Sequence, residues 1–153
     1  MLVTRREFLL VLTVLGLTGT RARARQDSLA VVTHPSVGIS RLNDEELEAI
    51  FLTNRHYWSG TRSIIPFNLP PHSEERVYFD QVVLRMDPDS VARFWLDRRV
   101  RSGSPPPRQA PDPAMVARLV AKLEGAIGYV PESLVAHDVR VVARIRNGKV
   151  LPP

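Results

Sequence analysis

The 153-residue chain is 44% hydrophobic and 24% charged, which allows one domain with a substantial core and is too short for two ordinary ones. It contains no cysteine, which excludes disulfides, thiol catalysis and thiolate metal sites. The formal net charge of +5 falls to +2 when the first 24 residues, with four arginines and one glutamate, are set apart, and no basic run with interleaved aromatics remains to suggest nucleic-acid binding.

Those 24 residues read as an export signal. Arg5-Arg6 precede an uncharged run from Phe8 to Thr20, shorter than the roughly 20 residues a bilayer-spanning helix needs. The arginine pair followed by Glu7-Phe8-Leu9 resembles a twin-arginine signal. Ala22-Arg23-Ala24 supplies a small-x-small cleavage pattern. The expected products are a signal over 1–24 and a periplasmic domain over 25–153, touching the membrane only through the signal.

Leu29–Thr33 is short, apolar and β-branched, and His34-Pro35-Ser36 bounds it, so it reads as a buried strand. Asn43 and Glu46 have capping-box spacing, and Leu47, Ile50 and Phe51 form a stripe, which predicts a helix from Asp44 to Leu52. An aromatic loop with Tyr57-Trp58 leads into a strand over Ser63–Phe67. A proline-rich corner then leads to Ser73, the expected N-cap of a helix that Met86-Asp87-Pro88 ends. Asp87-Pro88 and Asp112-Pro113 each start another helix, one carrying Val91, Phe94 and Trp95 and the other Met115, Val116, Leu119, Val120 and Leu123. Between them Arg101–Arg108, with three consecutive prolines, reads as a loop. Ala126–Val130 and Val139–Ile145 read as strands, the second running to an Asn147-Gly148 turn and a polar tail. Phe51, Phe79, Trp95, Leu119, Ile127 and Val130 are the expected core. The class is α/β, a small mixed sheet flanked by helices.

Signals for chemistry are sparse. His34, His56, His72 and His137 are isolated, with no pair at metal-ligand spacing. Nucleophile-elbow, P-loop and dinucleotide glycine patterns do not occur. The carboxylates cluster at helix starts, where the dipole accounts for them. These readings favour a protein that is not an enzyme and needs no cofactor or metal. The corner before Ser73 is the candidate site, because a helix start offers free N–H groups to an anion.

Ile50-Phe51-Leu52, Trp58, Ile64-Ile65-Pro66, Ser73, Phe79 and Gly125-Ala126-Ile127-Gly128-Tyr129-Val130 follow one another in an order that resembles the phosphate-binding proteins of bacterial ABC importers. The likeness spans about residues 29–131. It implies one lobe of a type II periplasmic binding protein, a small oxyanion such as phosphate as ligand, and an ABC permease or membrane sensor as partner. By this likeness Ser73 would contact the anion, with Arg76, His72 or Asn68 nearby. The chain departs from the family where an arginine and an aspartate stand before the serine, here Leu69 and Pro71. It departs again where glycine and threonine follow, here Glu74 and Glu75. The alternative is a ligand-free interaction module that keeps the lobe and docks a partner through Tyr57-Trp58 and the proline loop.

Overall fold

The computed structural model describes residues 28–153; the expected export signal and its cleavage point lie outside them. Six strands form one sheet in the order β3-β2-β4-β1-β5-β6. In chain order the elements are β1 (Ser28–Thr33), α1 (Asp44–Phe51), β2 (Ile65–Asn68), α2 (Glu74–Phe79), a π-helical turn (Asp80–Leu84), α3 (Pro88–Ser102), β3 (Arg108–Gln109), α4 (Pro113–Lys122), β4 (Ala126–Pro131), β5 (Arg140–Arg146) and β6 (Lys149–Leu151). The sheet is mixed: β2 runs parallel to β3 and β4, while β1 is antiparallel to both β4 and β5. The expected α/β class, a mixed sheet flanked by helices, is what is observed.

β1 is a continuous apolar run because it lies in the middle of the sheet, and Leu29, Ala30, Val31, Val32 and Thr33 are all buried. The helix starts follow their local chemistry. Asn43 accepts from Glu46 N–H at 2.8 Å while Glu46 accepts from Asn43 N–H at 2.9 Å, the reciprocal bonds expected of the capping box. Asp87 and Asp112 cap α3 and α4 by accepting from Ser90 N–H and Met115 N–H, each followed by the predicted proline.

Two glycines, one in β4 and one just before it, fit that strand to its surroundings. A β-carbon on Gly128 would lie 2.4 Å from Val116 Cγ1, so the bare backbone there lets α4 settle on the sheet. Gly125 has φ +86°, and a β-carbon there would meet Ser63 O at 2.3 Å. Tyr129, next to Gly128 in β4, is stacked on Phe79 at 3.9 Å, with Phe51 edge-on to Phe79 at 4.6 Å.

Four expectations need correction. Leu119 is only partly buried, because Val116 and Val120 form the innermost row of α4 and Leu119 lies at its margin. Trp58 is buried, its indole N–H donating to Gly125 O at 2.9 Å, so it offers no docking surface; Tyr57 beside it is 55% exposed. The tail after Gly148 is strand β6, paired with β5 through an Asn147-Gly148 turn in which both residues have positive φ. The proline loop ends in β3, two residues paired with Phe67 and Asn68.

After β4, Glu132 takes up ion pairs from Arg144 at 3.0 Å and from Arg146, tying the chain to the end of β5. The arginine hydrogen bonds, Arg146 foremost, hold its carboxyl at about 2, below the usual 4.5. A depressed carboxyl contributes stability that is present above 4.5 and is lost as pH falls through 2. Thermal melts of Glu132→Gln across this range should therefore show a smaller acid-side fall in Tm than the parent protein; identical acid limbs would show that Glu132 carries no such linkage.

Candidate functional site

β2 delivers Asn68 to the proline corner as a buried residue, and its surroundings engage it. The Tyr129 hydroxyl donates to Asn68 Oδ1 at 3.1 Å and accepts from Leu69 N–H at 3.4 Å, while Ala110 N–H donates to Asn68 O at 2.8 Å. Burial pushes the Tyr129 phenol up, so it stays an O–H donor.

Ser73 occupies the N-cap position of α2, but its hydroxyl makes no capping bond and instead donates to Pro70 O at 2.8 Å. The turn that folds the serine back onto Pro70, with Ser73 N–H on the same carbonyl at 3.0 Å, removes the hydroxyl from the helix start. Glu74 and Glu75 fill the first turn. The Ser73 hydroxyl proton is therefore already engaged, and two carboxylates stand at the helix start where an anion would approach. His72 is exposed.

Arg76 is buried at 6% exposure. Its Nε donates to Asp80 Oδ2 at 2.5 Å and its Nη1 donates to Leu69 O at 3.0 Å. Asp80, 3% exposed, opens the π-helical turn. Burial raises its carboxyl above the usual 3.8, and the Arg76 charge and hydrogen bond offset that only in part.

A cleft of about 170 Å³ opens beside this pair, between the corner, α3 and the proline segment. Asn68, Arg76, Asp80, Trp95 and Gln109 provide its polar groups, and Pro71, Val91 and Pro107 are among its apolar walls. Of the four expected site residues the structure brings Asn68 and Arg76 to the cleft; Ser73 and His72 do not line it. Two of the lining residues each hold a buried polar atom without a hydrogen-bond partner, Asp80 Oδ1 and Trp95 Nε1.

Asp80, Trp95 and Gln109 are additions that sequence reading did not supply as site residues. The i,i+4 spacing of Arg76 and Asp80 was a readable signal for their pairing. Trp95 has the spacing of a core residue and is one, with its indole N–H buried and without a partner. Among the described residues no group of histidine and carboxylate side chains is placed to hold a metal ion.

No family model matches the sequence, and no curated protein matches it. Solved structures do match. An ABC-type phosphate transport receptor from Vibrio cholerae is similar with a TM-score of 0.61 at 17% identity, over 77% of this chain and 47% of that one. PstS from Borrelia burgdorferi gives 0.58 at 14% identity, over 82% and 53%. A Clostridium perfringens protein solved with bound phosphate gives 0.62 at 18% identity, over 77% and 46%. The fold is that of a phosphate-binding-protein lobe. The chain spans about half the length of these structures.

The lobe fold explains why the resembling motifs occur together. Trp58 bonds to Gly125 across the molecule, and Gly128 and Tyr129 seat α4 and the aromatic stack. They are framework, which a lobe can keep while its ligand contacts change.

Proposed function

We propose that this is a non-catalytic, periplasmic solute-binding protein built on the lobe fold of the phosphate importers, and that its solute sits in the Asn68–Arg76 cleft. The single observation that carries this reading is the cleft itself, lined by a buried ion pair and by two residues, Asp80 and Trp95, that each hold a buried polar atom without a partner. Buried polar groups without partners are costly and uncommon, and a small solute that bonds to them would supply what the protein leaves open. The similarity to phosphate-transport receptors supports a role beside a membrane transporter. The signal-like N-terminus supports export.

An oxyanion at the Ser73 corner is less well supported, because the serine hydroxyl is engaged with Pro70 and two glutamates occupy the first turn. Docking of a protein partner has one observation in its favour. Leu96 and Val100, one turn apart on α3, are 66% and 79% exposed.

Thermal-shift and calorimetric titration against phosphate, sulfate and a panel of small organic solutes tests the proposal, alongside N-terminal sequencing of the exported protein, expected to begin at Arg25. At least one solute should bind. Gln109→Ala should weaken it by about tenfold, the equivalent of one hydrogen bond, while Ser73→Ala leaves it unchanged. Loss of binding in Ser73→Ala alone would move the site to the helix corner. Absence of any binding would leave the exposed face of α3 as the working surface.

A further inference from the structure

We infer that the cleft selects a small solute of zero net charge that carries both a hydrogen-bond donor and an acceptor, and that Asp80 is the residue that keeps oxyanions out. This rests on the cleft being the solute site and names the class of solute it takes. The argument starts from what each wall can accept. Arg76 would attract an anion, but its charge is matched by Asp80 at 2.5 Å, and two of its three guanidinium nitrogens are already donating to Asp80 and Leu69. The pair as a whole presents no net charge.

The unpartnered atoms set the rest of the specification. Asp80 Oδ1 is a buried acceptor with nothing donating to it, and Trp95 Nε1–H is a buried donor with nothing accepting from it. A phosphate or sulfate ion could accept from Trp95 and Arg76, yet it would bring its own negative oxygens against the Asp80 carboxylate, and like charges repel. A simple cation could satisfy Asp80 but would face the Arg76 guanidinium. An uncharged or zwitterionic molecule with an N–H or O–H beside a carbonyl or carboxylate oxygen satisfies both atoms and adds no net charge. The proline and valine walls suit an apolar remainder.

The chain has two tryptophans, Trp58 and Trp95, so the indole N–H region of an amide NMR spectrum reports on the cleft directly. Trp58, bonded to Gly125 O, serves as the internal reference. Acetamide, N-methylacetamide and glycine are the neutral probes, inorganic phosphate and sulfate the anionic ones, and methylammonium the cationic one. The expected result is a saturable shift of the Trp95 resonance with at least one neutral probe, at about tenfold or lower concentration than phosphate requires. Asp80→Asn should invert the order, because Arg76 then stands without its counter-charge, so that phosphate saturates the shift at about a tenfold lower concentration than in the parent protein. Trp95→Phe removes the donor but keeps an aromatic wall. It should fold at least as stably as the parent, since the lost N–H was unpartnered. Followed through the side-chain amides of Asn68 and Gln109, it should bind the neutral probe about tenfold more weakly.

Phosphate saturating the parent protein at lower concentration than every neutral probe would overturn the assignment of solute class while leaving a solute-binding cleft in place. A Trp95 resonance unmoved by any probe up to tens of millimolar would overturn both. If Asp80→Asn does not fold, the Trp95→Phe comparison decides alone, and unchanged affinity for the neutral probe in that variant overturns the inference.

Discussion

Asp80→Ala is expected to destabilise the protein by about 3–5 kcal/mol, the usual loss when one partner of a buried ion pair is removed. Arg76 would be left buried at 6% exposure with only Leu69 O to hold its charge. Chemical denaturation measures this directly, and a loss below about 1 kcal/mol would mean that water or a rearranged carboxylate reaches Arg76. The paired change Arg76→Met with Asp80→Leu should recover most of the loss, since the ion pair itself contributes little once its desolvation is counted. The pH dependence has the opposite sign to that of Glu132. Burial raises the Asp80 carboxyl above 3.8, so the folded protein holds that proton more tightly than the unfolded chain, and stability declines as pH rises from 3.8 through the raised value. Asp80→Asn should remove that slope. The two results are compatible: attraction to Arg76 does not fully offset the burial of the carboxylate, yet the guanidinium without it has no counter-charge at all.

Phe79→Ala should cost a similar amount, about 3–5 kcal/mol, through the cavity it leaves. Phe79 is fully buried, stacked on Tyr129 with planes 6° apart and edge-on to Phe51. Its loss also removes the ring that fixes Tyr129, whose hydroxyl bridges Asn68 and Leu69 at the floor of the corner. The effect should reach the site: any solute bound in the cleft should dissociate faster, and the Asn68 side-chain resonances should broaden. Phe79→Leu, which fills more of the cavity, should retain more than half of the lost stability. Equal losses in the two variants would show that ring stacking outweighs filled volume. Because Phe79 and Asp80 are adjacent and support the same corner, their effects should not add.

How far the sequence disclosed this structure varies with the range of the interactions involved. The caps at Asn43, Asp87 and Asp112 depend on residues three positions away, and they were readable with their helices. So was the alternating strand before Asn147-Gly148, because both its face pattern and its turn chemistry are local. β3 was not readable: it is two residues whose identity as a strand comes wholly from lying beside Phe67 and Asn68. The same holds for the burial of Trp58, which comes from its indole reaching Gly125, 67 residues away. The expected single helix from Ser73 to Met86 contains a π-helical turn beginning at Asp80, and propensity has no means of showing where an extra residue is accommodated.

The corner between β2 and α2 was legible as a turn into a helix, while the hydrogen bonds made there were not. The corner between β2 and α2 was identified from the proline run and from Ser73, and Asn68 and Arg76 do line the cleft beside it. What misled was the tendency to read a serine before a helix as a donor or cap for that helix. Here Pro70 O competes for the hydroxyl. The carboxylates were read as dipole partners, which fits Glu74 and Glu75 but not Asp80, buried at the opposite end of the same helix.

The position of β1 has a consequence for how the molecule comes together in time. Residues 28–33 are the first strand of the sheet to leave the ribosome, yet their partners are residues 127–131 and 140–146. A central strand that must wait for partners about a hundred residues downstream closes its longest loops last and places folding toward the slow end for a chain of this size. An emerging chain that stops before β4 can form α1 to α4 but has only the two-residue β2–β3 pairing to lay them on. Its apolar first strand stays uncovered, a segment for chaperones to shield until β4 and β5 have been made.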